Sequence, residues 1–290
     1  AGSLVGHIIE CGAQCTGGLF TDWRDVPDWD DIGYPIVECY ADGSFIVSKP
    51  PATGGLVSFG SVAEQLLYEI GDPGAYILPD VVCDFTQVTM EEVGENRVRV
   101  SGANGLPPTD KYKVSATFPD GWRAVAQITI GGPEAVHKAR RTGEALLKRT
   151  RRMLAAMNLA DFRDSLIEAI GGEAMYGPHS RALDAREAQM RLAVSHDERM
   201  PVEMFLRECS SPGCSMAQGT TGSGGARPKA SPIVRLFSCL VPKSRVKVAV
   251  DLEGKEIPVT IPTEGGFKEG AKVAPGPSEI PAGPTVTVPL

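Results

Sequence analysis

Apolar residues recur every three or four positions in two stretches of the chain, and this spacing predicts helices. The first stretch is Leu4–Ile9, and Gly12 is expected to end its helix. The second is Pro133–Met157, the longest in the chain, which carries Lys and Arg on its opposite face. The other predicted helices are Ser61–Ile70, opened by a capping-box pattern, and Met200–Ser211.

Alternation of apolar and polar residues predicts strands elsewhere. Tyr112–Phe118 and Trp122–Ile130 flank Pro119-Asp120-Gly121, which predicts a hairpin with a tight turn. The other predicted strands are Tyr34–Tyr40 and Ser44–Ser48 as one hairpin, Pro79–Phe85, Gln87–Glu92 and Arg97–Ser101 as another hairpin, Phe162–Ile170, Glu187–Ser195, Ile233–Leu240 and Arg245–Asp251.

This order of elements predicts a fold between α/β and α+β, with mixed sheets, hairpins and helices packed in two or three layers. We expect a first domain over residues 1–131, built from a helix, glycine-rich loops and hairpins. A second α+β portion over 132–256 contains the long basic helix, and residues 257–290 form a Pro/Gly-rich tail.

The charge of the chain is unevenly distributed. The formal net charge is −7, yet residues 1–80 contain twelve Asp and Glu against only Arg24 and Lys49, so the remainder is net basic by +3. An acidic balance argues against a nucleic-acid-binding protein, because phosphate contacts need clustered Lys and Arg. No apolar run reaches about 18 residues, so we expect no membrane-spanning helix.

Seven cysteines are scattered along the chain without the pattern of a disulfide framework. Free thiols in a reducing compartment are therefore expected, and with them a cytoplasmic location. The spacings between Cys11 and Cys15 and between Cys209 and Cys214 do not match a four-ligand zinc site, so no metal ligands are predicted.

The stretch Gly6–Trp23 is the main candidate for chemistry, because it places reactive side chains among glycines. Glu10 is the candidate general base, Cys11 the nucleophile, and His7, one helical turn away, the acceptor of the thiol proton. A helix whose His and Cys pack inward while Glu10 pairs locally explains the same residues. Gln14 and Asp22 are candidate ligand-binding side chains in this stretch.

The turn after the second predicted strand is a candidate anion site. Lys49 would supply charge, Thr53 a hydroxyl, and Gly54 and Gly55 backbone amides for a phosphate. A proline-containing turn between a hairpin and a helix is the alternative, since the Walker spacing is absent. The segment Gly219–Lys229, which includes Arg227, is a second glycine-rich candidate, with a plain linker as its alternative.

Several phrases together resemble the acyclic terpene utilization protein A (AtuA) family. They are GHIIECGAQCTGG at Gly6–Gly18, TGGLV at Thr53–Val57, VAEQLLYEIGDP at Val62–Pro73, YILPDVVCDF at Tyr76–Phe85 and KYKVS at Lys111–Ser115. The resemblance is dense over residues 1–150 and looser afterwards. It implies that the chain corresponds to the part that follows the family's Rossmann-like opening.

The resemblance also implies a role in the breakdown of acyclic terpenoids such as citronellol and geraniol, a route run on acyl-CoA thioesters. One hypothesis is an enzyme that acts on a terpenoid carboxylate or its CoA thioester, with the site at Gly6–Trp23. The other is a non-catalytic protein that binds acyl-CoA or assembles neighbouring enzymes. In both, the expected partners are a small-molecule ligand and further copies of the chain as a homo-oligomer, and the cofactor is unknown.

Overall fold

A computed structural model describes residues 1–222, 228–261, 263 and 265–267. Backbone contacts divide the chain into two compact units, Ala1–Val114 with Leu240–Leu290, and Ser115–Cys239. Both boundaries lie within strands. The sequence-based division at residues 131 and 256 stays a prediction.

The elements, in chain order, combine short helices with many strands. The helices are α1 (Gly2–Ile9), α2 (Phe59–Leu67), α3 (Ala135–Ala156), α4 (Arg199–Glu208) and α5 (Pro212–Ser215). The strands are β1 (Ile36–Cys39), β2 (Phe45–Ser48), β3 (Tyr76–Ile77), β4 (Val82–Asp84), β5 (Thr89–Gly94), β6 (Arg97–Ser101), β7 (Asn104–Leu106), β8 (Lys111–Gly131), β9 (Asp164–Ile170), β10 (Glu187–His196), β11 (Thr220–Gly222), β12 (Ser231–Pro242), β13 (Ala249–Leu252) and β14 (Lys255–Pro258).

The first unit is organised around a four-stranded antiparallel sheet in the order β1-β2-β6-β5. A three-stranded antiparallel sheet, β3-β4-β7, and the hairpin β13–β14 belong to the same unit. Its apolar core combines residues of α1 and α2 with one face of β2 and β6. The buried members contributed by these four elements are Leu4, Ile8, Val62, Leu66, Phe45, Val47, Val98 and Val100.

The two helices of this unit begin and end at different residues from those predicted. Helix α1 ends at Ile9 rather than at Gly12. Helix α2 begins at Phe59, because Ser58 is its N-cap and forms a reciprocal capping box with Ser61. The predicted capping box that opened at Ser61 is therefore wrong by one helical turn, since a serine at either position fits the pattern.

The second unit is one antiparallel sheet covered by helices. The order is β11-β8-β10-β9, and β12 also pairs with β8. Along β10 every second residue from Ala188 to His196 is buried, as expected for a strand with one covered face. Helices α3 and α4 supply the rest of this core, with Leu146, Leu154, Val202 and Phe205 fully buried.

The predicted hairpin around Pro119-Asp120-Gly121 is wrong, because these residues lie within strand β8. The chain continues through these residues as one strand, and Trp122–Gly131 pairs with β10 instead of folding back on the preceding run. Gly121 has a φ of +87°, and a Cβ there would lie 2.6 Å from the carbonyl oxygen of His196. The glycine therefore allows a close approach between strands where its sequence context predicts a turn.

The predicted α+β character is confirmed, with several antiparallel sheets. Both other hairpins, the long helix and the strands at β9, β10 and β12 also agree with the sequence patterns. Helix α5 and strands β3, β7, β11 and β14 lie outside the predicted helices and strands. Most of the predicted tail lies outside the described residues.

An ionic network holds the middle of β8. Arg163 donates to a carboxylate oxygen of Asp120 at 3.0 Å and to its carbonyl oxygen at 2.5 Å. Arg235 also donates to the Asp120 carboxylate, and Arg163 lies 3.1 Å from Asp197. The hydrogen bond from Arg163, supported by Arg235, holds the pKa of Asp120 below its ordinary value of 3.8.

This lowered pKa predicts how Asp120 links stability to pH. A carboxyl whose pKa is lower in the folded state stabilises the fold above its ordinary pKa, and this contribution disappears as pH falls through the folded pKa. We expect the free energy of unfolding to drop as pH falls below 3.8, and to drop less steeply in Asp120→Asn. Urea unfolding followed by circular dichroism measures both slopes. The exposed Asp30→Asn serves as control, and equal slopes in all three proteins would refute the network's contribution.

Candidate functional site

The carboxylate of Glu10 is the point at which the three predicted catalytic residues meet. Its Oε1 atom lies 3.5 Å from Nδ1 of His7 and 3.9 Å from Sγ of Cys11. Because α1 ends at Ile9, Cys11 lies beyond the helix, and the prediction that one helical turn separates it from His7 is wrong. The contacts of both side chains converge on Glu10 instead.

His7 is buried against two aromatic rings, and its Nε2 atom forms a hydrogen bond with the backbone. The ring centroid lies 5.5 Å from that of Tyr76 and 6.5 Å from that of Phe85. Nε2 lies 3.2 Å from the carbonyl oxygen of Leu66, which can only accept, so Nε2 carries a proton. Nδ1 has no hydrogen-bond partner among the described residues. In the tautomer that carries this proton on Nε2, Nδ1 directs its lone pair toward Glu10.

Cys11 is the half-buried thiol of this cluster, and Cys15 is its buried neighbour. Burial raises the pKa of the Cys15 thiol to about 12, so Cys15 stays protonated at neutral pH. Burial, with a smaller contribution from the charge of Glu10, also raises the pKa of Tyr76. The residues of this cluster that solvent can reach are Glu10 and Cys11.

Gln14 and Asp22 lie elsewhere in the glycine-rich stretch. Gln14 begins a short turn of 3₁₀ helix over Gln14–Thr16, and Asp22 is exposed before a similar turn at Trp23–Asp25. Among the described residues, no side-chain hydrogen bond joins either of them to Glu10. Their assignment as ligand-binding residues stays a prediction.

The side chains of Lys49 and Thr53 form hydrogen bonds within their own loop. The Lys49 ammonium donates to the carbonyl oxygen of Thr53 at 2.5 Å and lies 3.5 Å from its hydroxyl. The Thr53 hydroxyl in turn donates to the carbonyl oxygen of Pro50 at 2.8 Å. The cation and the hydroxyl expected to hold a phosphate thus stabilise the loop that carries them.

The amides of Gly54 and Gly55 are also engaged within the chain. Gly54 donates to the carbonyl oxygen of Asp31 at 2.8 Å, and Gly55 donates to that of Pro27 at 2.9 Å. A Cβ on Gly54 would lie 2.1 Å from the carbonyl oxygen of Asp28. The glycines allow close backbone packing, and their amides are already occupied, so we do not carry the anion site at this turn into the proposed function.

The residues that sequence reasoning missed lie along α4 in the second unit. A cavity of about 780 Å³ runs between α4, residues 125–128 of β8 and residues 228–230. Arg199, Glu203 and Arg207 recur every four residues of α4 and therefore share one helix face. That spacing is visible in the sequence, but which face borders a cavity is not.

The lining of this cavity is net basic. Its described residues include Arg199, Arg207 and Lys229 against the one carboxylate of Glu203, a formal balance of +2. Arg199 donates to Glu203 at 2.8 Å and its guanidinium lies 5.2 Å from the ring centroid of Trp122. No ion pair among the described residues involves Arg207 or Lys229.

Cys209 also lines the cavity but is not suited to nucleophilic attack. Its thiol donates to the carbonyl oxygen of Phe205 at 3.2 Å. Burial, and then the neighbouring charge of Glu208, raises its pKa to about 12. The cavity thus combines apolar walls with cations at α4. Arg227, from the second glycine-rich candidate, lies outside the described residues.

Lys243 is a buried cation in the first unit. Its Nζ donates to the carbonyl oxygen of Thr109 at 2.5 Å and lies 5.4 Å from the ring centroid of Tyr112. The backbone amide of Lys243 donates to Asp110 at 2.9 Å. These contacts tie the start of β8 to the end of β12 and give Lys243 a structural role.

Among the described residues, no three His, Cys, Asp or Glu side chains are grouped so that they could hold a metal ion. The same part of the chain contains no helix with the length and apolarity needed to span a membrane.

Comparison with known proteins gives one match. The model of a family described as "Acyclic terpene utilisation family protein AtuA" matches residues 1–252. Neither the curated proteins nor the solved structures include a match to this chain.

The close packing at Gly54 predicts the effect of adding one methyl group. Gly54→Ala places a Cβ against the carbonyl of Asp28 and should lower the free energy of unfolding by about 2 kcal/mol. Gly6→Ala is the matched control, because nothing lies within 4 Å of its Cβ and α1 gains helix propensity. Urea unfolding measures both. A Gly54→Ala protein as stable as the wild type would contradict the packing role.

Proposed function

Because this chain belongs to the acyclic terpene utilisation family AtuA, we propose that it binds a terpenoid carboxylate or the corresponding CoA thioester in the cavity along α4. The family name connects the chain with acyclic terpene utilisation. The observation that carries the finer proposal is the net basic, partly apolar lining of this cavity.

The cavity matches the two chemical parts of such a ligand. Its volume of about 780 Å³ lies in the range of small-molecule sites. Val125 and Ile128 of β8 and Leu206 of α4 supply apolar wall for the part of the hydrocarbon group that lies next to the anionic group. Arg207 and Lys229 supply positive charge for a carboxylate or for the phosphates of CoA.

We therefore propose the anion site at α4 and not at the glycine-rich turn. At the turn, Lys49 is bonded to Thr53 and the glycine amides are bonded to backbone carbonyls. At α4, Arg207 is exposed and makes no ion pair among the described residues. An arginine without an internal ion pair binds an external anion at a lower cost in free energy, because no existing ion pair must be broken first.

Ligand binding is common to the enzymatic hypothesis and to the non-catalytic one. A cytoplasmic location and a homo-oligomer stay predictions under both.

Replacing Arg207 tests the binding site. We expect Arg207→Gln to weaken binding of citronellate and of citronellyl-CoA by about tenfold or more, because a charge-assisted hydrogen bond to the ligand is lost. Isothermal titration calorimetry measures the dissociation constants. The control is Arg140→Gln on α3, an exposed arginine that lines none of the cavities described here. Equal affinities in the two variants, or a wild type that binds neither compound, would reject the proposal.

The Glu10 cluster favours catalysis as a second candidate function. The carboxylate is accessible, its side chain being 45% exposed, and it contacts a histidine nitrogen and a thiol. Glu10 is the proposed acid–base group, with Cys11 as the neighbouring thiol and His7 as the buried partner that shares its proton.

Turnover measurements separate the two candidate functions. Incubation with citronellyl-CoA or geranyl-CoA, followed by mass spectrometry, should reveal product if the chain is an enzyme. In that case Glu10→Gln should lower the rate by about a hundredfold or more, whereas the exposed Glu95→Gln should leave it unchanged. Retention of the full rate in Glu10→Gln would remove Glu10 as the acid–base group. Binding without product in the wild type would favour the non-catalytic function.

A further inference from the structure

A second cavity in the same unit is lined by methionines. It has a volume of about 420 Å³ and lies between the end of α3 and α4. Four of the eight methionines of the chain line it, namely Met153, Met157, Met200 and Met204. Such a concentration in one cavity suggests that its wall has a function.

Helical spacing explains how the four side chains come together. Met200 and Met204 are four residues apart on α4 and share one face, while Met153 lies in the last turn of α3 and Met157 is the C-cap that follows it. Met204 is 8% exposed, whereas Met157 is 54% and Met200 39% exposed. The cavity therefore has a buried thioether in its wall and two accessible ones that a ligand can reach.

The remaining lining residues carry charge, and within the described part of the chain one of the three has no ion pair. Glu203 is paired with Arg199 at 2.8 Å, and Glu208 is paired with Arg149 at 2.5 Å. Arg207 makes no ion pair among the described residues. The two carboxylates are thus neutralised, which leaves a net positive charge beside an apolar wall.

Arg207 and Glu203 line this cavity and also the larger cationic one. The two cavities therefore border the same pair of side chains on α4. A ligand whose anionic group binds Arg207 could extend its hydrocarbon part along the methionines without leaving the protein surface.

We propose that the methionine-lined cavity binds the branched, acyclic hydrocarbon chain of an anionic ligand that is anchored at Arg207. This inference rests on the proposed function and assigns the determinant of chain specificity. Methionine side chains are unbranched, flexible and polarisable, so they adapt to methyl branches and double bonds that a rigid aliphatic wall would exclude. Charge complementarity at Arg207 sets the orientation of the ligand.

The test compares ligands of different chain length on matched variants. The double variant Met157→Gln/Met200→Gln replaces the two accessible thioethers by amides with little change in side-chain volume. Met175→Gln is the control, because Met175 is 94% exposed and lies outside the cavity. The ligands are butyrate, octanoate and citronellate, measured by titration calorimetry or by competition.

In the wild type and in Met175→Gln, affinity should rise steeply from butyrate to octanoate and citronellate. Burial of each methylene contributes roughly a fourfold gain, and the double variant should reduce the octanoate-to-butyrate affinity ratio by about tenfold. Butyrate affinity should stay within about twofold, because its binding depends on Arg207. An unchanged ratio in the double variant overturns the proposal.

Methionine methyl NMR gives a readout that does not depend on altered side chains. With methyl-labelled methionine, citronellate should shift the signals of Met153, Met157, Met200 and Met204 and leave that of Met175 in place. Shifts confined to other methionines would reject the cavity while keeping the proposed function. Absence of binding by the wild type, or equal affinity in Arg207→Gln, would instead reject the proposed function itself.

Discussion

The burial of one stripe of α4 against the sheet of the second unit decides where the charges of this helix lie. Val202 and Phe205 are fully buried, and Phe205 packs edge-on to Phe162 with ring centroids 6.2 Å apart. Because a helix turns about 100° per residue, seating these side chains inward directs Arg199 and Arg207 outward along one line. The cationic cavity and the methionine-lined cavity both depend on this orientation.

In the first unit, one glycine-rich sequence is compatible with two different physical roles. A glycine-rich turn with a nearby lysine is able to present free amides to an anion, or to let two backbone segments approach closely. Here the carbonyl oxygens of Pro27 and Asp31 accept the hydrogen bonds of Gly55 and Gly54. Since each amide has one proton, this choice removes both amides from ligand binding. The Glu10 cluster of the same unit is different, because its carboxylate remains accessible and contacts His7 and Cys11.

Sequence patterns identified most elements of the fold and part of the candidate site. Alternation along Trp122–Ile130 correctly indicated a strand, but the turn signal at Pro119-Asp120-Gly121 indicated the wrong partner. The three residues gathered at Gly6–Trp23 do meet, although Cys11 lies past the end of the helix expected to hold it. The arginines of α4 were within a predicted helix, yet nothing in their spacing distinguishes a cavity wall from a solvent-exposed face.

By itself, the sequence determined the type of most elements, the family, and the closeness of His7, Glu10 and Cys11, because each depends on residues near one another in the chain. Only the tertiary structure decided that β8 continues past Gly121 to pair with β10, that the glycine amides are occupied, and that cavities open along α4. Periodicity reports which face of an element is apolar. Which surfaces meet, and where they leave space, depends on contacts between residues far apart in the chain, such as those that bring residues 125–128 and 228–230 to α4.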